Sequence, residues 1–338
     1  RQGALAGVMA DAVARAAGVP TTAVRRATML GGDLTAVATV ALTDGAAGLA
    51  AIVLEVGRPV QPMLASTAAS TAAAVEDMDD AVVDWKIDGI RIQVHRRGDE
   101  VRIWTRNLNE ITGRLPEVAD RVRALPADTL VLDGEALVVD AEERPVLFQD
   151  TAARVGADEA RGEPATVTPW FFDLLHHDGT DLVDAPLDER RERLVAVAGG
   201  LVVPHRRTAS PDGAAEVLAD ALAAGHEGVV VKAAGSPYAA GRRGKAWRKV
   251  KPVHTLDLVV LAAEWGNGRR RGWLSNLHLG ARDESSPTGF RMVGKTFKGL
   301  TDEVLAWQTE ALGAIATGED HPEGGHVVAV RPELVAEV

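Results

Sequence analysis

The sequence predicts a multidomain chain: a helical N-terminal part (1–57), a central α+β domain (58–252) and a terminal β-barrel with one inserted helix (253–338). Three observations carry this prediction. Apolar residues near the N-terminus recur at helical spacing. From residue 62 onward, period-2 strand patterns mix with helical stretches without a regular βαβ rhythm, which favours α+β. Beyond Lys251-Pro252 strand patterns dominate again.

Leu5, Val8, Met9, Ala12, Val13 and Ala16 define the first helix, which Gly18 and Pro20 stop. A second runs over Thr22 to Leu30 and ends at Gly31-Gly32. Gly57-Arg-Pro-Val-Gln-Pro62 is a connector. Ala81–Asp84, Arg91–Arg96 and Val101–Trp104 then read as strands, with Arg97-Gly98-Asp99 as a hairpin turn. Thr129–Val139 and Gly228–Lys232 are further strands, and Leu187–Val197 and Pro211–Ala224 are helices. In the last region Leu256–Ala262, Trp273–Leu279, Phe290–Lys295 and His326–Arg331 are strands, with a helix over Thr301 to Ile315.

Composition is that of an ordinary globular protein: 46% hydrophobic and 25% charged over 338 residues. No apolar run approaches the roughly 20 residues of a membrane helix, so no membrane association is expected. The apolar start has no basic region before it and does not read as a signal peptide. With no cysteine, disulfides and thiolate zinc sites are excluded, which fits a reducing cytoplasm. A net charge of −11 argues against nucleic acid only on average, since contact depends on the field of one face. Arg1 in place of an initiator Met suggests a fragment or a processed chain.

Gly289-Phe-Arg-Met-Val-Gly294-Lys295-Thr296 matches the letters of a phosphate-binding P-loop. A phosphate cradle needs a preceding strand, a tight turn and an immediate helix. The residues before Gly289 are polar, those after it are bulky and alternate, and Phe297-Lys-Gly299 interrupts any helix. The segment reads as a strand.

Lys86-Ile-Asp88-Gly89-Ile-Arg91 is the segment with chemistry. A lysine on a sharp loop between two strands, beside a glycine that lets the backbone turn, can present its amine to a phosphate. It must first be freed of its proton. Alone the pattern is weak, but matching pieces follow in order: Thr105-Arg106, Leu132-Asp133-Gly134-Glu135, Phe171-Phe172-Asp173-Leu174, Glu227-Gly228-Val-Val-Val-Lys232 and Trp247-Arg248-Lys249-Val250-Lys251. In this series the chain resembles the ATP-dependent DNA ligases of bacterial, actinobacterial type, within the covalent nucleotidyltransferase superfamily.

The resemblance implies an ATP-grasp-like adenylation domain between the C-terminal part of a helical DNA-binding domain and an OB-fold domain. It implies ATP and Mg²⁺ as cofactors, AMP carried covalently on Lys86, and nicked duplex DNA as the partner in replication, repair or recombination. Lys249 and Lys251 would stabilise charge on the α-phosphate. Arg91 and Arg106 would hold ribose or phosphates, and Glu135 a ribose hydroxyl with a possible second role at the metal. Glu227 would bind Mg²⁺. Phe172 rather than Phe171 would stack on adenine, Asp84 would recognise its amino group, and Arg243, with Arg242 as rival, would contact the nucleotide. Basic clusters at Arg96-Arg97, Arg242-Arg243-Lys245 and Arg269-Arg-Arg271 could hold DNA phosphates.

Two departures stand out. The family often carries Glu where this chain has Asp84. A C-terminal basic motif of the R-x-D-K type is missing before Glu337-Val338, so the OB-fold domain reads as truncated and self-adenylylation by this chain alone is expected to be poor. The same chemistry in an RNA ligase or capping enzyme, or a catalytically silent scaffold on the same fold, are the other readings. A monomer is expected, with a hinge near Pro252 and, from its Ala, Val and Arg content, an origin in a GC-rich bacterium.

Overall fold

The computed structural model describes residues 2–140, 145–146, 149, 151, 167–239, 243–252, 255–297, 299–320 and 323–338. Contacts divide the chain into two units, Arg1–Pro252 and Val253–Val338.

The first unit begins with helices α1 (Gln2–Ala17), α2 (Thr21–Gly31) and α3 (Leu34–Ala50). Small side chains let them approach closely around Ala10, Ala14, Val24, Ala27, Val37, Ala41 and Leu49. The third helix carries no clear sequence signal. Its Thr, Val and Gly content is unfavourable to a helix, and Gly45, at φ 61°, breaks its helical path. Asp33 starts it by accepting a hydrogen bond from the Thr35 amide at 2.8 Å.

Strand β1 (Leu64–Thr67) and the short helix α4 (Thr71–Val75) follow, then β2 (Ala81–Lys86), β3 (Ile90–Arg97) and β4 (Glu100–Thr105). Next come α5 (Pro116–Arg123), β5 (Thr129–Val138), β6 (Val167–His177) and β7 (Thr180–Asp181). The unit closes with α6 (Leu187–Ala198), β8 (His205–Arg207), α7 (Pro211–Ala223), β9 (Gly228–Ala233) and β10 (Arg243–Val250). These strands form two five-stranded sheets, ordered β1-β10-β9-β2-β8 and β4-β3-β5-β6-β7. Only the β1–β10 pair is parallel among the described pairings. One core lies under α5 and α6 against the second sheet, and another between α4, α7 and the first.

A third core joins Met29 and Leu30 of α2 to Val131, Leu175 and Trp247 from both sheets. Two connections fix the 57–62 segment to β3. The Gln93 side chain exchanges hydrogen bonds with the Val60 backbone, and His95 Nδ1 accepts from the Gly57 amide at 2.9 Å. Burial pushes His95 down to about 3, so it stays a neutral acceptor at ordinary pH.

Of the Arg96-Arg97 cluster, Arg96 turns inward while Arg97 stays exposed. Arg96 is buried and donates to the carbonyls of Gly98, Val122 and Leu125, closing the C-terminal end of α5, and Arg97 donates to Val56 O.

The second unit contains β11 (Asp257–Trp265), β12 (Leu274–Arg282), β13 (Phe290–Thr296), α8 (Asp302–Ala314), β14 (Ala316–Asp320), β15 (Val327–Val330) and β16 (Val335–Glu337). The sheet order is β13-β12-β11-β15-β14, with β16 also paired to β11. The P-loop look-alike is indeed a strand: β13 pairs antiparallel with β12, setting Lys295 opposite His278.

A fully buried ion pair lies in the first unit. Arg190 and Asp173 are fully buried and joined by two hydrogen bonds of 2.7 and 3.0 Å. Arg190→Ala strands a buried carboxylate, so it should lower unfolding free energy by about 3–5 kcal/mol. Urea denaturation measures this, and a loss below about 1 kcal/mol would show that water or another cation reaches Asp173.

Candidate active site

Three antiparallel strands build the site. β2 pairs with β9 so that Lys86 faces Gly228, and β9 pairs with β10 so that Val229 faces Val250. This register brings together the end of β2, the start of β9 and the end of β10. Gly228 permits it twice over: its φ is 150°, and a Cβ there would sit 2.2 Å from Val250 O.

Lys86 ends β2, ahead of the loop 87–89. Gly89 serves there in a different way from the turn freedom its sequence context suggests. Its φ is not positive; instead a Cβ would lie 2.4 Å from Ala136 O, so the glycine lets the start of β3 lie close against the end of β5.

A cavity of about 430 Å³ opens beside Lys86, a size suited to a small-molecule ligand. Its lining includes Asp84, Lys86, Arg91, Arg106, Glu135, Phe172 and Lys249, seven of the residues singled out in the sequence. Phe171, one position away on β6, is wholly buried in the core, as strand alternation requires. Glu227 and Lys251 lie next to Lys86. Glu227 pairs with Lys86 through one carboxylate oxygen and with Lys251 through the other, at 2.8 Å. Burial works to raise the Glu227 carboxyl, but hydrogen bonds from Lys251 and Lys86 hold it below its ordinary value. Arg243 begins β10, but its side chain and all of Arg242 lie outside the described residues.

Arg91 uses its donor fork within the protein. Nε and Nη2 bind Asp133 at 3.0 and 2.7 Å, and Nη1 binds Met63 O at 2.7 Å. Its guanidinium also lies 5.4 Å from the centre of the Phe172 ring. Asp84 is committed as well: its carboxylate takes Arg191 at 2.7 and 2.8 Å and Lys232 at 2.7 Å.

Lys232, within the Glu227–Lys232 motif, has no role that the sequence pattern suggests, yet it faces the cavity. It is buried in the cavity wall, with Nζ 4.1 Å from the Trp247 ring centre and 4.5 Å from that of Phe172. Burial pushes its ammonium below the ordinary lysine value, against the opposite pull of Asp84. The available signal was a lysine inside the apolar run Val229-Val-Val-Lys232, since a buried lysine is almost always paired.

Glu135 is perturbed in the opposite sense to Glu227. Burial raises its carboxyl to about 8, against the lowering pull of Arg91 and Lys86. It is therefore largely protonated at neutral pH.

The comparisons with known proteins agree with one another. The family model of the ATP dependent DNA ligase domain matches residues 62–251. A probable DNA ligase of Beutenbergia cavernae is 57% identical over 348 residues, covering 100% of this chain and 67% of that protein. One of Kineococcus radiotolerans is 58% identical, covering 100% and 66%. This chain thus spans about two thirds of the length of these relatives. The solved structure Pmar-Lig_Pre shares the fold at 20% identity, with a TM-score of 0.56, covering 86% of this chain and 69% of that one.

Glu135 makes stability depend on pH. Between about pH 4.5 and 8 the folded chain keeps a proton that the unfolded chain releases, so stability falls as pH rises through that window. Glu135→Gln removes this contribution. Thermal midpoints at about pH 5 and about pH 8.5 should differ less in the variant than in the parent. Equal differences would mean that Glu135 is ionised in the folded chain at neutral pH.

Proposed function

This chain belongs to the ATP-dependent DNA ligase family, and on that premise we propose that Lys86 takes AMP from ATP and passes it on to a nick in duplex DNA. The amine of Lys86 attacks the α-phosphorus, a P–N bond forms and pyrophosphate leaves. The adenylate then moves to the 5′-phosphate of the nick, and attack by the 3′-hydroxyl seals the strand and expels AMP. The observation that carries this reading is that Lys86 lines a nucleotide-sized cavity and is joined through Glu227 to Lys251, just beyond the end of β10.

Attack requires the free amine, so the pair between Lys86 and Glu227 must part. The donor set fits a magnesium ion, which favours carboxylate oxygen and phosphate. Glu227, held ionised, is the residue to bind it. A bound ion would supply positive charge at the phosphates. Glu135, protonated at neutral pH, suits a hydrogen bond to a ribose hydroxyl better than a metal. That Lys249 lines the cavity and Lys251 pairs with Glu227 supports a role for both in meeting negative charge on the α-phosphate. Phe172 offers a ring face to the base, and Arg106 a guanidinium to ribose or phosphate.

The committed carboxylate of Asp84 supports only an indirect part in base recognition, through Lys232. Arg243 is kept as a candidate nucleotide contact on its sequence position. We read α1–α3 as part of a DNA-binding domain and residues 253–338 as an OB-type domain. Lys245 and the exposed Arg269 are the basic residues to meet DNA phosphates. No helix among the described residues is long and apolar enough to cross a membrane. A monomer on nicked DNA in the cytoplasm suffices for this scheme, because one chain brings together Lys86, Glu227, Lys249 and Lys251.

Intact mass tests the assignment. Prolonged incubation with ATP and Mg²⁺ should slowly add one adenylate to the parent chain, none to Lys86→Ala, and none to the parent when EDTA removes the metal. Pre-adenylylated nicked DNA provides the second measurement. A chain that neither gains adenylate nor seals that substrate would rule the proposal out.

A further inference from the structure

We propose that Tyr238 is a positioning residue of the nucleotide site, acting through Asp133 to fix the direction in which Arg91 points. The proposal rests on the reading of Arg91 as a nucleotide ligand.

A guanidinium has five N–H donors. Arg91 places two on Asp133 and one on Met63 O, while its Nη2 also lies 3.5 Å from the Tyr238 hydroxyl. What remains for the cavity is the second Nη1 proton. Its aim depends on how firmly Asp133 and Met63 are held.

Tyr238 holds both. Its hydroxyl donates to Asp133 Oδ2 at 2.6 Å and accepts from the Met63 amide at 2.9 Å. The ring is buried, and its backbone amide is bound to Val183 O at 2.8 Å. Burial and the Asp133 charge keep the phenol well above its ordinary value, so the hydroxyl remains a donor.

Four separate stretches of sequence meet at this oxygen: the segment before β1, β3, β5 and the loop after β9. Tyr238 therefore ties the two sheets together behind the cavity wall. It is not among the residues lining the cavity, so its effect on nucleotide is indirect, and its hydrogen bond to Asp133 leads to the cavity through Arg91.

Tyr238 is the sole tyrosine in the sequence, so biosynthetic 3-fluorotyrosine labels this position alone. ATP affinity would be measured in EDTA for the 338-residue chain, for Tyr238→Phe, for Arg91→Lys and for the double variant. Tyr238→Phe should weaken ATP binding about fivefold, the scale of one lost hydrogen bond. That loss should vanish in the Arg91→Lys background, because coupled residues are not additive. The fluorine resonance should shift when ATP saturates the parent and stay still in Arg91→Lys.

Equal weakening in both backgrounds overturns the positioning role. So does an unchanged Tyr238→Phe beside a weakened Arg91→Lys. ATP affinity unaltered by Arg91→Lys instead removes the reading of Arg91 as a ligand, and this proposal with it. Should Tyr238→Phe fail to fold, the fluorinated chain decides alone: a resonance unmoved by ATP overturns the proposal.

Discussion

The register of β2, β9 and β10 is the constraint on which the site depends. Lys86, Glu227 and Lys251 come from widely separated parts of the sequence and meet because Lys86 faces Gly228 and Val229 faces Val250. A slip of one residue in either pairing would turn alternate side chains to the opposite face. Lys86 would leave the cavity, and Val83, Val229 and Val231 would lose their core. The apolar face therefore enforces the position of the reactive face. Folding and chemistry are specified by one pattern of alternation.

Behind that ladder lies a group of buried ions: Asp84 with Arg191 and Lys232, Asp173 with Arg190, and Asp133 with Arg91. Such pairs contribute little net stability, because desolvation opposes their attraction. Their value here is geometric. Arg191 and Lys232 both donate to the carbonyl of Phe172, at 3.0 and 3.3 Å, so the charges that neutralise Asp84 also hold the strand bearing the aromatic wall. Loosening one pair would disturb the ring beside it.

Strands with one buried face were readable in the sequence, since period-2 alternation reports burial directly. The strand nature of 290–295 followed from alternation, as did the opposite facing of Phe171 and Phe172, while the choice of Phe172 and of the Lys86 loop came from the family resemblance. α3 did not, because an Ala-rich helix containing Thr and Gly owes its form to packing against α1 and α2 rather than to propensity. Side-chain partners were also hidden. Arg96 reads as surface charge until the end of α5 is seen against it. The donor fork of Arg91 reads as free until Asp133 and Met63 are in place. Sequence spacing located these residues, while their long-range partners set what each has left to offer.

The cavity wall has a kinetic consequence. The chain carries a net charge of −11, yet Lys86, Arg91, Arg106, Lys232 and Lys249 all line this one concavity; Glu227, Asp133 and Asp84 offset Lys86, Arg91 and Lys232, so Arg106 and Lys249 carry the remaining positive charge of its wall. A concave, low-dielectric surface focuses such a field outward. A polyanion arriving from solution meets a chain of net negative charge and is drawn towards this opening. Encounter rates should therefore be orientation-selective before any contact forms, and this selectivity should fade as added salt shortens the reach of the field to about 10 Å at 0.1 M.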